Sequence, residues 1–154
     1  MKLKLAKYYT IENRIDELPV LAEKIEELAE RWDLPEQLIM YINLVVEEAV
    51  SNIILYGFHD NKTHKIRISF LLKYSLLTIR ITDDGVAFDP TSRRQPDISL
   101  PLIERPVGGL GIFLISKIMD SVQYARKNNR NTLVLKKGIQ ACNNLLQIPA
   151  EIGL

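Results

Sequence analysis

The sequence predicts an α/β protein built as one domain, and three observations carry that reading. Two early stretches place their apolar residues at helical spacing, a middle stretch switches to alternation, and 154 residues suit a single core. With 47% hydrophobic and 25% charged residues, that core has ordinary size and a solvated surface around it.

The elements follow in order. "LKLAKYYTI", Leu3 to Ile11, has β-forming character and reads as an opening strand. Asp16, Glu17 and Pro19 mark a helix start, after which Leu21, Ile25, Leu28 and Trp32 form one buried stripe. The opposite face carries Glu23, Lys24, Glu26, Glu27, Glu30 and Arg31 and reads as solvated. A second helix opens at Pro35, whose missing N–H costs little in a first turn, and runs to Tyr56 before Gly57. From Leu38 to Leu55 its only polar residues are Asn43, Glu47, Glu48, Ser51 and Asn52, so it belongs in the centre of the fold.

"KIRISFLLKYSLLTIRIT" then alternates and reads as a hairpin turning at Lys73, Tyr74 and Ser75. Asp84 to Gly108 is a loop with four prolines, long enough to suggest a functional segment. A glycine-rich helix start, a helix to about Asp120 and the strands "VQYARK" and "TLVLKK" complete the pattern, with Asn128 to Asn131 as their turn. The tail, 138–154, has no clear period. One domain is therefore expected over residues 3–137.

Charge and cysteine content exclude several classes. Twenty Lys and Arg against nineteen Asp and Glu leave a net charge of +1, so no global field favours direct binding to nucleic acid or an anionic membrane. An anionic ligand must be met locally. Cys142, the single cysteine, reads as a spare thiol and fits a reducing compartment. No uninterrupted apolar run reaches the roughly 20 residues of a membrane span, and the N-terminus lacks the apolar core of a secretory signal. A cytoplasmic protein is expected. His59 and His64, flanking an Asn-Lys turn, read as surface residues.

Three places break the pattern. On the second helix, Tyr41, Leu44, Glu48, Asn52 and Leu55 share one stripe, so a carboxylate and an amide stack one turn apart among apolar neighbours. The pair either finds protein partners or an exposed face, or it meets a hydrated Mg²⁺, which takes hard oxygen ligands and is usually shared with phosphates. In "ITDDGVAFDP", acid and glycine after a strand make a turn, or they fix Asp83 where it can accept from an amine in a pocket. In "RPVGGLGIFLISKIMD", the glycines at 108, 109 and 111 form a plain turn, or they open a helix N-terminus to a phosphate. Neither G-x-x-x-x-G-K-[ST] nor a strand-linked G-x-G-x-x-G is present.

Taken together, "EEAVSN", "DDGVAF" and "GGLGIFLI" resemble, in order and spacing, the asparagine box and two glycine boxes of the GHKL ATPase superfamily. Within it, "VVEEAVSNIILYGF" and "GGLGIFLISKIMD" are most similar to the anti-sigma factor serine/threonine kinases of bacterial partner-switching systems. The resemblance covers about Leu3 to Lys137. It implies a Bergerat-type two-layer α/β sandwich, with a mixed, largely antiparallel sheet, helices on one face, and ATP with Mg²⁺ between the layers.

By the same resemblance, Asn52 is the Mg²⁺ ligand and Glu48 the general base for the attacking hydroxyl. Asp83 accepts from the adenine amine, and Gly85 lets the backbone pass close to the base. Gly109, Leu110 and Gly111 bring amides to the phosphates, Arg105 reaches a phosphate from the lid, and Thr132 supports Asp83 through water. The family has a second glycine where this chain has Ala87. Alanine there is strained if φ is positive and harmless otherwise.

The implied activity is phosphorylation of an antagonist (anti-anti-sigma, STAS-type) protein, with a sigma factor as competing partner and homodimerisation through the opening strand. The alternative is a non-catalytic module that sequesters a regulator, with or without nucleotide. A histidine-kinase catalytic domain ranks third, because no phosphoacceptor helix pair precedes the motifs.

Overall fold

A computed structural model describes residues 4–92 and 109–139. β1 (Lys4–Glu12) leads into α1 (Glu17–Arg31) and α2 (Glu36–Tyr56), followed by a hairpin of β2 (Lys65–Lys73) and β3 (Leu76–Asp83). After a 3-10 turn at Pro90–Ser92, α3 (Gly109–Ile118) precedes a second hairpin of β4 (Ser121–Lys127) and β5 (Arg130–Gly138). Cys142 and nearly all of the tail lie outside the described residues.

The strands form one sheet in the order β1-β2-β3-β5-β4. Every pairing among the described residues is antiparallel, a more uniform ladder than the mixed sheet expected. Both hairpins close with two-residue turns, Tyr74-Ser75 at φ 52° and 62° and Asn128-Asn129 at φ 52° and 59°. Positive φ at both central residues matches the right-handed twist of the flanking strands. The second turn is thus shorter than expected, and Arg130 and Asn131 belong to the ladder of β5.

Alternation decides which face is covered. Ile66, Ile68, Phe70 and Leu72 of β2, Leu77, Ile79 and Ile81 of β3, and Leu133 and Leu135 of β5 turn one way and are buried. α2 supplies the opposing surface through Leu38, Ile42, Val45, Val46, Ala49 and Val50, while α1 adds Leu21, Ile25 and Leu28 at its predicted stripe. Burying each large aliphatic side chain contributes about 1.5–3 kcal/mol, so packing on the sheet outweighs local propensity in holding α2 helical. At 21 residues and mean hydropathy 1.6, α2 is long and apolar enough to cross a bilayer by composition alone. The sequence reading missed this because Glu47 and Glu48 interrupt the run. Here the helix serves as core.

The other sheet face is polar. Lys65, Arg67, Lys73, Arg80, Arg130 and Lys136 alternate onto it. None of the six forms an ion pair with a described carboxylate. On the core side, Lys137 is 1% exposed and reaches Asp120 at 3.2 Å, and the other Asp120 oxygen accepts from the Gly138 N–H at 2.7 Å.

Candidate functional site

One end of β3 and the facing surfaces of α2 and α3 line a hollow that opens to solvent. Asn52, Asp83, Phe88, Ile112, Tyr124 and Asn131 are among its lining residues, so parts distant in sequence meet there.

Asp83 is the last residue of β3 and is 7% exposed. Its Oδ1 accepts from the Gly85 N–H at 2.8 Å and from the Asn131 amide at 3.0 Å. Oδ2 has no partner among the described residues. The backbone must pass close here: a Cβ at Gly85 would stand 2.6 Å from the Gly57 carbonyl oxygen and 2.9 Å from Asp83 Oδ1. That close approach is why glycine is required, and Val86 N–H locks it by donating to the same Gly57 carbonyl at 2.7 Å. Ala87 has no positive φ and an exposed side chain, so its methyl is accommodated without strain.

On α2, Asn52 lines the hollow and Glu48 lies one turn before it, both half-buried. Neither side chain has a hydrogen-bond or ion-pair partner among the described residues. Burial, and secondarily the like charge of Glu47, push the Glu48 carboxyl above the usual carboxylate range. Its carboxylate sits against the first turn of α3, where a Cβ on Gly111 would collide with it. Gly111 therefore makes room for the acid as well as freeing backbone. Gly109 and Leu110 open α3, whose first-turn N–H groups lack helical acceptors.

The structure thus brings Asn52 and Asp83 into the lining of one hollow, with Gly85 beside Asp83 and with Glu48, one turn before Asn52, against Gly111. Arg105 lies outside the described residues. Thr132 does not support Asp83: it pairs with Thr82, one position short of the Asp83–Asn131 pair, and so projects from the opposite face of the sheet. Asn131 takes that place, 6% exposed and hydrogen-bonded to Asp83 directly. Sequence reasoning missed it by assigning it to a turn, although Asn131, Leu133 and Leu135 share the alternation that faces the core.

His64 is a second correction. Its Nε2 lies 2.7 Å from Asp60 and its Nδ1 3.1 Å from Asp84, its ring stacks on Phe58 with centroids 4.3 Å apart, and only 17% of the side chain is exposed. The hydrogen bond to Asp60, then that to Asp84, raises the histidine above its usual range and favours the imidazolium; Asp60 is lowered in turn, chiefly by the same hydrogen bond. His59 is exposed, as expected.

A profile of the histidine kinase-like ATPase domain matches residues 11–137. The chain is 29% identical over 100 residues to a protein named serine-protein kinase RsbW from Listeria monocytogenes, covering 62% of this chain and 64% of that one. It is 37% identical over 95 residues to an anti-sigma F factor from Oceanobacillus iheyensis, covering 60% and 64%. To a Bordetella bronchiseptica serine/threonine-protein kinase, BtrW, it is 28% identical over 108 residues, covering 70% and 75%. The match therefore spans less than two thirds of the first two relatives. Among solved structures, the RsbU and RsbW domains of a Mycobacterium tuberculosis protein superpose with a TM-score of 0.65 at 12% identity, over 88% of this chain and 32% of that one. The histidine kinase domain of a blue-light activated kinase from Erythrobacter litoralis gives 0.56 at 14%, over 85% and 63%. These two likenesses establish the histidine-kinase-like ATPase fold.

Proposed function

The chain belongs to the histidine kinase-like ATPase domain family, and from that premise we propose that it is an anti-sigma factor serine/threonine kinase. It transfers a phosphoryl group from ATP to a serine or threonine of an antagonist protein, and it holds a sigma factor inactive until that antagonist displaces it. The names of the Listeria, Oceanobacillus and Bordetella relatives support this reading. The observation that carries it is Glu48: a half-buried carboxylate of raised pKa, without a partner among the described residues, one turn before Asn52 and against Gly111 of α3.

Each residue then has a task. Asp83 accepts from the adenine amine, with Gly85 keeping the floor of the base site thin. The first-turn amides of α3, from Gly109 through Leu110 and Gly111, receive phosphate oxygens. Arg105 adds a phosphate contact. Glu48, poised as a base nearer neutrality than a solvated glutamate, orients the substrate hydroxyl and takes its proton.

The donor set suits Mg²⁺ shared with phosphates, since one unpartnered amide beside one unpartnered carboxylate supplies hard oxygens. No cluster of three or more His, Cys, Asp or Glu among the described residues forms a complete protein cage. Asn52 would hold the ion, which when bound neutralises charge spreading over the transferring phosphoryl group. The same reading places the protein in the cytoplasm and allows a homodimer paired along β1, an edge strand of the sheet. The non-catalytic alternative rested on strain at Ala87, which the backbone there does not show.

The test is label transfer from ATP to candidate antagonist proteins, with Glu48→Ala and Asn52→Ala run beside the unaltered protein. Transfer is expected from the unaltered chain, ATP binding without transfer from Glu48→Ala, and weakened magnesium-dependent nucleotide binding from Asn52→Ala. Failure to bind nucleotide at millimolar MgATP defeats the proposal.

A further inference from the structure

We infer that Asn131, held by Tyr124 and Arg126, fixes the Asp83 carboxylate in the base site and so sharpens its preference for an amine-bearing purine. The inference rests on the nucleotide reading above and assigns a positioning role to residues that the motifs do not include.

The direction of each bond can be worked out from its neighbours. The Tyr124 hydroxyl accepts from the Phe88 N–H at 3.3 Å and donates its own proton to Asn131 Oδ1 at 2.5 Å. Arg126, which can only donate, reaches the same Oδ1 at 2.9 Å and the Gly85 carbonyl at 2.9 Å. Two donors therefore fix one end of the Asn131 amide as its carbonyl, because a flipped amide would point N–H groups at N–H and O–H groups. The NH₂ end must then face Asp83 Oδ1 at 3.0 Å, Val86 O at 2.9 Å and Gly85 O at 3.3 Å.

Asp83 is oriented by this amide. With Gly85 N–H also donating, Oδ1 is filled by fixed donors and Oδ2 remains as the acceptor for a ligand. An ionised carboxylate has acceptors only. A purine carrying an amine at its six-position satisfies Oδ2, whereas one carrying a carbonyl there sets acceptor against acceptor. Arg126 and Tyr124 come from β4 and Asn131 from β5, so the second hairpin joins the loop after β3 in holding the Asp83 carboxylate in place.

The test is direct titration of the full chain with ATP, GTP and inorganic tripolyphosphate, all with Mg²⁺. Asn131→Ala should lower ATP affinity about tenfold, leave GTP and tripolyphosphate affinities within about twofold, and so narrow ATP/GTP discrimination about tenfold, the size of one lost hydrogen-bond contribution near a charged group. Tyr124→Phe, which leaves Arg126 on the amide, should narrow it about threefold and serves if Asn131→Ala does not fold. Parallel loss of ATP and GTP affinity, or unchanged discrimination in both variants, would overturn the inference while leaving the nucleotide reading intact. Absence of ATP binding by the unaltered chain sinks both.

Discussion

The two ends of the candidate site differ in how their polar groups are spent. At the base end, Asp83 Oδ1, both ends of the Asn131 amide, the Tyr124 hydroxyl, Arg126 and the Gly85 and Val86 carbonyls share one connected set of hydrogen bonds, buried at Asp83 and part-buried toward Tyr124 and Arg126. At the acid end, Glu48 and Asn52 have no partners among the described residues, and burial with the Glu47 charge holds the Glu48 proton more tightly than usual. The first end is shaped before any ligand arrives, and recognition there depends on geometry already fixed. The second carries an unmet demand for charge and hydrogen bonding, which is the condition for a group that must exchange protons with a substrate.

Altering one end should leave the other unmoved, and this separation gives the sharpest tests. Glu48→Gln removes the base while keeping its shape. Phosphoryl transfer should fall about 10²–10⁴-fold with ATP affinity nearly unchanged, as read by single-turnover labelling beside equilibrium titration; a matched loss of affinity would erase the contrast. Gly111→Ala drives a methyl into the Glu48 carboxylate. Displacing the acid by about 1 Å should cost about 10²-fold in transfer and leave ATP/GTP discrimination intact.

At the base end, Gly85→Ala places its methyl against the rigid Gly57 carbonyl. Overpacking of this kind costs about 1–3 kcal/mol, so the urea midpoint should drop, while a midpoint equal to that of the unaltered chain would show that the loop has room. Glu47→Gln takes away the like charge beside Glu48 and should move the acidic limb of the transfer-versus-pH profile to lower pH. No movement would leave burial as the sole cause.

The smallest effect belongs to His64, outside the hollow. Its folded pKa is raised, so its stabilising contribution is complete below the unfolded value of about 6.5 and disappears as pH climbs through the folded value. Melting temperature should therefore decline above that window in the unaltered chain and show a flatter course in His64→Gln, as followed by thermal denaturation across pH 6 to 9.

How far the sequence revealed these ends follows the same division. Glu48 and Asn52 were legible because a four-residue spacing on one helix is local and their apolar neighbours made two polar groups conspicuous. The contact of Glu48 with Gly111 was not, since it exists only once α2 and α3 pack. Asp83 and Gly85 stood out at a strand end, but their supports come from β4 and β5, and strand register is not written in any local pattern. Asparagine's turn preference also misdirected the reading: Asn128 and Asn129 form the turn, while Asn131, two residues on, is a ladder residue facing the core. Taking it for turn shifted the support of Asp83 onto Thr132, on the wrong face. The ordering of strands and helices, by contrast, followed from periodicity, because burial on one face of each element imposes it.

The polar side of the sheet bears on how copies of this protein can meet. Laid flat against one another, two such surfaces would bring these six basic side chains from each molecule together across a thin layer of water. Coulomb repulsion would oppose that arrangement most strongly in dilute salt and relax as screening ions are added. A net charge of +1 conceals this, because it sums these cations with carboxylates placed elsewhere, among them Glu23, Glu26, Glu27 and Glu30 on α1. The chain is close to neutral in sum, yet among the described residues basic side chains gather on the open sheet face.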